Sequence, residues 1–437
     1  MKPNTKNFAG GMGAFFALWS TQAFSTLGSA MTNFALIVWS YQQQGSALTT
    51  ALLSVCSYAP YVLVSIFAGA ASDRWDKRRT MLAADGFAAL CTAAVLVLLR
   101  AGGLRIWHLY LLNALNGLMN SVQQPASAVA VSLLTPRRQY QRVSALQSLS
   151  NSLVTVLTPA LATALLTLVS LEAVLLFDLV TCAVAVGTLG LFVRIPASPA
   201  QAGRETVLES ARRGLAYLWS HRGVLHLILF LAAINLTASM YNAALPAMLL
   251  SRAGGGEKVL GLVNTLTGLA ALAGSVAVSL LPAPKSRVRA ICNALLFSMS
   301  TENLLLALGT SAPVWYLGAV LGWLFIPVMN TNLDALLRVT IPVEMQGRVY
   351  AARNTLQFFT IPVGYALGGV LVDKVFEPLM AGQAGAGPLT ALVGSGKGSG
   401  AALLFLFLAA LGVATCLVFR ADGQLWALEG RPVSRKK

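Results

Sequence analysis

The sequence predicts an all-α polytopic membrane protein, with twelve transmembrane helices in two six-helix, pseudo-symmetric halves. Three observations predict it. Apolar stretches about as long as a bilayer is thick recur along the chain, among them Met81–Leu99, Leu161–Val193 (two spans with a short break), Val259–Leu281 and Ala401–Phe419. Roughly 20 such residues cross the hydrocarbon core as a helix, and hydrophobicity that is continuous rather than alternating argues against a barrel. Of the 437 residues, 56% are hydrophobic and only 11% charged, against about 25% charged in soluble chains. The 31 Lys and Arg outnumber the 15 Asp and Glu, and they gather in alternate loops, as basic residues do on the cytoplasmic side of a membrane.

Hydropathy places span centres near Ser25, Tyr58, Leu90, Leu118, Val156, Cys182, Ala233, Ala271, Phe297, Leu324, Pro362 and Leu411. The polar stretch Met1–Phe8 precedes an apolar run without a small-residue cleavage site, so that run reads as the first span rather than a removed signal peptide. Loops after even-numbered spans hold Arg74, Lys77, Arg78 and Arg79; Arg137, Arg138 and Arg142; Arg194, Arg204, Arg212, Arg213 and Arg222; Lys285, Arg287 and Arg289; and Arg338 and Arg348. The other loops hold only Arg100, Arg105, Arg252, Lys258, Lys374 and Lys397. This asymmetry puts both termini in the cytoplasm of a multi-pass protein of the inner cell membrane, and an even number of spans agrees with it. It also accounts for the net charge of +16 without nucleic acid, since no basic stripe with interleaved aromatics stands outside the spans. Trp39, Trp107 and Trp315 fall near the outer boundaries, where indoles favour the interface.

Two loops are long. The central one (194–222) separates a first half, 1–193, from a second, 223–437. In it Leu208, Ala211, Leu215 and Leu218 recur at helical spacing, which predicts an amphipathic helix over Val207–Trp219 lying on the inner membrane surface. The outer loop, Phe376–Gly400, is rich in Gly and Ala and reads as a flexible linker. Cys56, Cys91, Cys182, Cys292 and Cys416 lie far apart inside spans and read as apolar filler, with no disulfide framework, metal site or cofactor implied.

The halves echo each other. Leu133-Leu134-Thr135-Pro136-Arg137-Arg138, then Arg142-Val143, then a span with Pro159 is matched by Leu336-Leu337-Arg338-Val339-Thr340-Ile341-Pro342, then Arg348-Val349, then a span with Pro362. Parallel repeats of this kind build many transporters.

Between spans two and three stands Gly69-Ala-Ala-Ser-Asp73-Arg74-Trp75-Asp76-Lys77-Arg78-Arg79. It resembles the loop signature of the major facilitator superfamily, G-x-x-x-D-R-x-G-R-R, with Asp76 in place of the second glycine. That departure bears on the backbone geometry of the turn, and Asp is among the better non-Gly residues at positive φ. The resemblance implies a conformational lock made by Gly69, Asp73, Arg74, Arg78 and Arg79 with the start of span eleven, near Arg348 and Arg353. The matching loop of the second half, Pro284-Lys285-Ser286-Arg287, lacks the aspartate. Gln22, Ser25, Gly28-Ser29, Phe34-Ala35-Leu36 and Trp39, with Leu215–Arg222 leading to Asn235 and Pro342–Val349 followed by Pro362, Gly364 and Gly368-Gly369, resemble the macrolide-efflux and enterobactin-exporter branch. That resemblance implies a proton-driven antiporter, by alternating access, of bulky amphipathic, macrolide-, drug- or siderophore-like molecules.

Ionisable residues inside spans are costly and so are functional candidates. Glu302, Asp178, Asp85 and Asp334 are the proton-coupling candidates. Asp85 and Asp334 lie near basic loops and are expected in structural ion pairs. Glu302, in Ser298-Met-Ser-Thr-Glu302-Asn303, has few basic neighbours, which suits a proton carrier. Uncharged polar residues mark a substrate path: Gln22, Ser25 and Asn33; Asn113, Asn116 and Gln123; Asn235, Tyr241 and Asn242; Asn330; and, with one charge, Arg353 and Gln357. Such amides also glue membrane helices together. No G-x-x-x-x-G-K-[ST] run is present, and His108, His221 and His226 have no nucleophile or metal-ligand company, so neither an ATP-driven pump nor an enzyme is expected. The expected partners are an amphipathic small molecule, protons and membrane lipids, around a monomeric chain. A lipid or lysolipid translocator of the same fold and a ligand-binding receptor without flux are the competing readings.

Overall fold

The computed structural model describes residues 12–136, 139–195, 207–383 and 387–430, with the side chains of 65–74, 140, 141, 144, 145, 207, 208, 210, 211, 343, 344, 346–348 and 351 outside the description. Among the described residues the regular structure is helical throughout. In chain order the first six helices are α1 (Met12–Gln44), α2 (Ala47–Arg74), α3 (Lys77–Arg100), α4 (Ile106–Leu134), α5 (Tyr140–Leu168) and α6 (Leu171–Leu191). A short helix, α7 (Val207–Ser220), precedes α8 (Arg222–Ser251), α9 (Glu257–Leu280) and α10 (Arg287–Leu308). The tenth and eleventh predicted spans are broken: α11 (Ala312–Leu324) runs into α12 (Ile326–Thr340), and α13 (Val343–Phe358) into α14 (Thr360–Val370), a π-helical turn (Leu371–Phe376) and α15 (Glu377–Ala381). After α16 (Pro388–Val393), α17 (Ser399–Arg420) and α18 (Gly423–Gly430) complete the chain.

Among the described residues, ten helical stretches are long and apolar enough to cross a membrane. The predicted first and fourth spans, α1 and α4, are 33 and 29 residues long. Their length suffices to cross a bilayer, but Gln22, Asn33, Asn113, Asn116, Asn120 and Gln123 dilute their apolar content. With these two the helices match the twelve expected.

Two compact units form, one from Met1–Ser40 and Cys56–Arg204, the other from Tyr41–Val55 and Glu205–Lys437. In the first unit α3 packs on α4 and α6. One apolar cluster joins Phe15, Leu18, Met81, Ala126, Leu134 and Leu189, and another joins Leu27, Met31, Ala35, Ala162 and Val174. Helices come close where side chains are absent: a Cβ on Gly117 of α4 would stand 3.0 Å from the carbonyl carbon of Ser57 in α2. Asp76 is not left-handed; its φ is −63°, and its side chain caps α3 by accepting from the Arg79 amide (2.8 Å). The carboxylate serves as an N-cap instead of replacing the freedom of glycine. Ser286 caps α10 in the same way, accepting from the Arg289 amide (3.1 Å). The two loops thus share a cap, though not the aspartate at the position of Asp73.

The second unit is built around α8, which packs on α14 and α17, while α10 packs on α17, α11 and α12. Leu218 of α7 and Leu425 of α18 are buried in the same apolar cluster as Leu227, Phe230, Leu295 and Leu337. On α7, Leu215, Trp219, Arg212 and Arg213 remain exposed, as an amphipathic surface helix requires. Glu429 of α18 accepts from Ser286 Oγ and the Val288 amide, both at 2.8 Å, and so covers the first turn of α10.

The segment after α14 departs from the expected flexible linker. Met380, Thr390 and Val393 are buried, and the Arg252 guanidinium donates to the Val393 carbonyl. Two carboxylates one turn apart each cap a helix: Asp373 accepts from Ser46 Oγ (2.6 Å) and from the Ala47 (3.0 Å) and Leu48 (2.9 Å) amides of α2, and Glu377 accepts from the Gly398 amide (2.9 Å) ahead of α17. Gly394, Gly396 and Gly398 there adopt positive φ, and Gly400 packs closely against the Glu377 backbone. Trp315 is likewise no interfacial indole. It is fully buried, and its Nε1 donates to the Gly309 carbonyl (3.0 Å).

Candidate functional site

Glu302 lies in mid-α10 with 3% of its surface exposed. Room for its side chain comes from α11, where Gly318 and Gly322 face α10: a Cβ on Gly322 would stand 2.5 Å from Glu302 Cβ and 2.7 Å from Cδ. Immediately beyond Gly322, the indole Nε1 of Trp323 donates to Glu302 Oε1 at 3.0 Å. Tyr241 of α8, also buried, faces the same carboxyl group and packs edge-on against Phe405 of α17.

This carboxyl group lines a cavity of about 200 Å³ within the second unit. Asn235, Tyr241 and Asn242 from α8, Asn330 from α12 and Gln357 from α13 share it, so five of the predicted substrate residues meet around Glu302. Leu231, Ile234, Met299, Met329 and Leu333 supply apolar wall. The cavity therefore combines a few polar groups with an apolar surface, the composition of small-molecule sites. Two buried atoms on its wall have no hydrogen-bond partner: Ser298 Oγ and Asn303 Oδ1. A buried polar atom left unmatched costs about 1–3 kcal/mol, which a matching ligand or water recovers. Ser298 and Asn303 were not among the predicted site residues. The readable signal was the i, i+4 spacing of Ser298 and Glu302, which puts them on one helix face.

Arg353 does not line the cavity. It pairs with Asp334 (3.6 Å) and donates from Nε to Gln357 Oε1 (3.1 Å), so Asp334 sits in an ion pair as expected.

Asp85 differs from its expected ion pairing. Gln22 of α1 donates to Oδ2 (2.7 Å) and Gln123 of α4 to Oδ1, so two amides, not basic loop residues, hold the buried carboxylate. The cause is position: Asp85 sits two turns inside α3, where α1 and α4 present side chains, while Arg78 at the start of the helix turns to the end of α6. Asp178 of α6 accepts from Ser29 Oγ (2.9 Å) and Thr92 Oγ1 (3.0 Å). Gln22, Ser25, Ser29 and Thr32 follow one another at helical spacing, so α1 carries a polar stripe past both carboxylates. Ser25 is buried, whereas Asn33 is exposed. Asn113 donates back to the Leu109 carbonyl of its own helix (2.8 Å), and Asn116 Oδ1 is buried without a partner.

Of the loop motif, the side chains of Gly69, Asp73, Arg74 and Arg348 lie outside the described residues. Arg78 donates to the Leu189 (3.1 Å) and Gly190 carbonyls at the end of α6, and Arg79 is exposed. No group of three or more His, Cys, Asp or Glu side chains suited to a metal ion occurs among the described residues.

The family model of the Major Facilitator Superfamily matches residues 18–365. Macrolide efflux protein A of Streptococcus pyogenes is 22% identical over 366 residues, 83% of this chain and 90% of that protein. The protein YfiS of Bacillus subtilis (strain 168), described as an MFS-type transporter, is 24% identical over 405 residues, 86% and 89% of the two chains. A bacterial homologue of the iron transporter ferroportin, solved in an inward-facing state, superposes with a TM-score of 0.68 at 16% identity, over 93% of this chain and 98% of that one. An auto-inhibited peptide transporter of the POT family gives 0.69 at 12% identity, over 97% and 98%. At such identities the solved structures show likeness of fold alone.

Proposed function

The chain belongs to the major facilitator superfamily, and on that premise we propose that it exports bulky amphipathic small molecules in exchange for protons, by alternating access. The observation that carries the reading is Glu302: a buried carboxyl group, held by Trp323, on the wall of an amide- and aromatic-lined cavity with no basic side chain among its described lining residues. An uncompensated negative charge is costly there, so a site of this kind cycles between charged and neutral forms as it is exposed to one side of the membrane and then the other. The low-identity relatives named macrolide efflux protein A support export.

In this mechanism the residues have separate tasks. Glu302 carries the exchanged proton. Tyr241 and Trp323 orient its carboxyl group, and Trp323 stabilises the ionised form by a charge-assisted hydrogen bond. Asn235, Asn242, Asn330 and Gln357 provide the amides that read the polar groups of the cargo, while Leu231, Ile234 and Met329 accept its apolar surface. Asp85 and Asp178, each held by neutral donors, are the coupling candidates of the first unit. Asp73 with its neighbouring arginines acts as the conformational lock, and both termini face the cytoplasm.

The test is efflux from cells expressing the protein, screened across macrolides, siderophores and dyes, with and without a protonophore. Extrusion that collapses with the proton gradient supports the exporter. Extrusion that survives it contradicts proton exchange and favours a lipid or other translocator of the same fold.

A further inference from the structure

We propose that the cavity beside Glu302 selects uncharged cargo by hydrogen-bond polarity, taking a hydroxyl group at Asn303 and a carbonyl or ether oxygen at Gln357. Arg353, outside the cavity, sets this polarity by fixing the Gln357 amide. The inference rests on the exporter reading and names the groups of the cargo that are read.

A side-chain amide has an acceptor end and a donor end, and the end that meets a ligand depends on what holds the other. Two amides on the cavity wall are held so that oxygen is presented. Asn303 of α10, 2% exposed, donates Nδ2 to the Met299 carbonyl one turn back (2.7 Å). A carbonyl only accepts, so the amide cannot be reversed there, and Oδ1 is left as a buried acceptor without a partner. Asn242 of α8 repeats the arrangement at the exposed margin, with Nδ2 on the Ala238 carbonyl (2.9 Å).

Gln357 of α13 has the opposite sense. Arg353, one turn earlier, donates from Nε to Gln357 Oε1 (3.1 Å). A guanidinium only donates, so the amide oxygen must face it, and the Nε2 end is left for the cavity. Arg353 is anchored in turn by Asp334 of α12 (3.6 Å), and it does not line the cavity. It is a positioning residue: without it the Gln357 amide can turn either end to a ligand.

A matching ligand carries a donor towards α8 and α10 and an acceptor towards α13. An ammonium group brings donors alone and a carboxylate acceptors alone, whereas an uncharged molecule with a hydroxyl group and a carbonyl or ether oxygen serves both ends. Ser298, whose hydroxyl turns either way, adapts to it. Size agrees: a cavity of roughly 150 Å³ holds benzene, so about 200 Å³ holds one ring with its polar substituents. Buried polar groups discriminate against an analogue that lacks the matching group, because they are then left unpaired.

The experiment is ligand-observed NMR titration of the purified full-length protein in detergent, blanked against empty micelles, with three single-ring probes. β-Hydroxypropiophenone carries both groups, propiophenone the carbonyl alone, and hydrocinnamyl alcohol the hydroxyl alone. The wild-type protein should bind the first about tenfold tighter than either of the others, the effect of one well-made hydrogen bond to a buried group. Asn303→Leu should erase the preference over propiophenone and keep that over hydrocinnamyl alcohol. Arg353→Gln should do the reverse, although the substituted position lies outside the cavity. Arg353→Lys, which still donates to Gln357 and pairs with Asp334, should keep both preferences. Gln357→Leu should match Arg353→Gln and serves if that variant does not fold. Equal affinity for all three probes, which is the result if ordered water satisfies Asn303, would overturn the proposal. So would no binding of any probe, an unchanged pattern in Asn303→Leu, or a loss in Arg353→Gln that is the same for every probe. Protonophore-sensitive efflux without these preferences would overturn this inference alone; the preferences without flux would overturn the exporter reading alone.

Discussion

Gly322→Ala probes the site without touching a polar group. The added methyl would stand 2.5 Å from Glu302 Cβ and 2.7 Å from Cδ, and would also meet Oε2. Carbon contacts are favourable at roughly 3.5–4.0 Å, so about 1 Å must open between α10 and α11. Rotation at the far end of Glu302 cannot relieve the overlap, because Cβ itself is struck. Overpacking of this kind costs about 1–3 kcal/mol. The carboxyl group is pushed off the Trp323 indole, whose charge-assisted bond is worth about 1.5–3 kcal/mol. Gly318→Ala, one turn earlier on the same helix, is the control: its methyl would meet Leu305 Cβ at 3.1 Å and the Glu302 carbonyl at 3.5 Å, leaving the carboxyl group in place. The assay pairs thermal unfolding in detergent with efflux in cells at matched expression. Gly322→Ala should lower the melting temperature and abolish efflux, Gly318→Ala should leave efflux near wild type, and Glu302→Ala combined with Gly322→Ala should recover only part of the lost stability, since it removes Cδ and Oε2 but keeps the struck Cβ. Wild-type efflux in Gly322→Ala would refute the placement of Glu302 in the transport site.

Two further outcomes follow from the packing. Asp373→Ala removes the acceptor for the first amides of α2 and should cost about 0.5–2 kcal/mol, as N-cap losses do, with Asp373→Asn recovering part of it; thermal unfolding reads both. Gln22→Leu combined with Gln123→Leu strips both amide donors from buried Asp85 and should cost about 1–3 kcal/mol for the carboxyl group left unmatched, more at high pH, where it is ionised, than at low pH.

The spans were legible because a bilayer imposes one length and one polarity on any helix that crosses it, and that constraint is written in consecutive residues. It weakens only in α1 and α4, where amides interrupt the apolar run. Glu302 was legible by the same logic, since a carboxylate in an apolar stretch must have a use or a partner. Its surroundings were not: Gly322, Trp323 and Tyr241 come from other helices, and no local pattern announces which helix faces which. Asp85 misled for that reason, since nearness in sequence to the basic loop suggested ion pairing while Gln22 and Gln123, 63 and 38 positions away, hold it. The Gly- and Ala-rich stretch after α14 was read as a linker from composition. Its described part is tied by long-range caps from Asp373 and Glu377 and by the Arg252 guanidinium, none of which composition records.

The central claim, proton exchange through Glu302, is tested most directly with purified protein in liposomes loaded with a pH-sensitive dye. An outward gradient of substrate, identified by the efflux screen, is imposed without any initial pH difference. The account predicts that substrate flow drives protons the opposite way in the wild-type protein and not in Glu302→Gln, at equal reconstitution. Proton movement of equal size in Glu302→Gln, or substrate flow with no proton movement in the wild type, would contradict it.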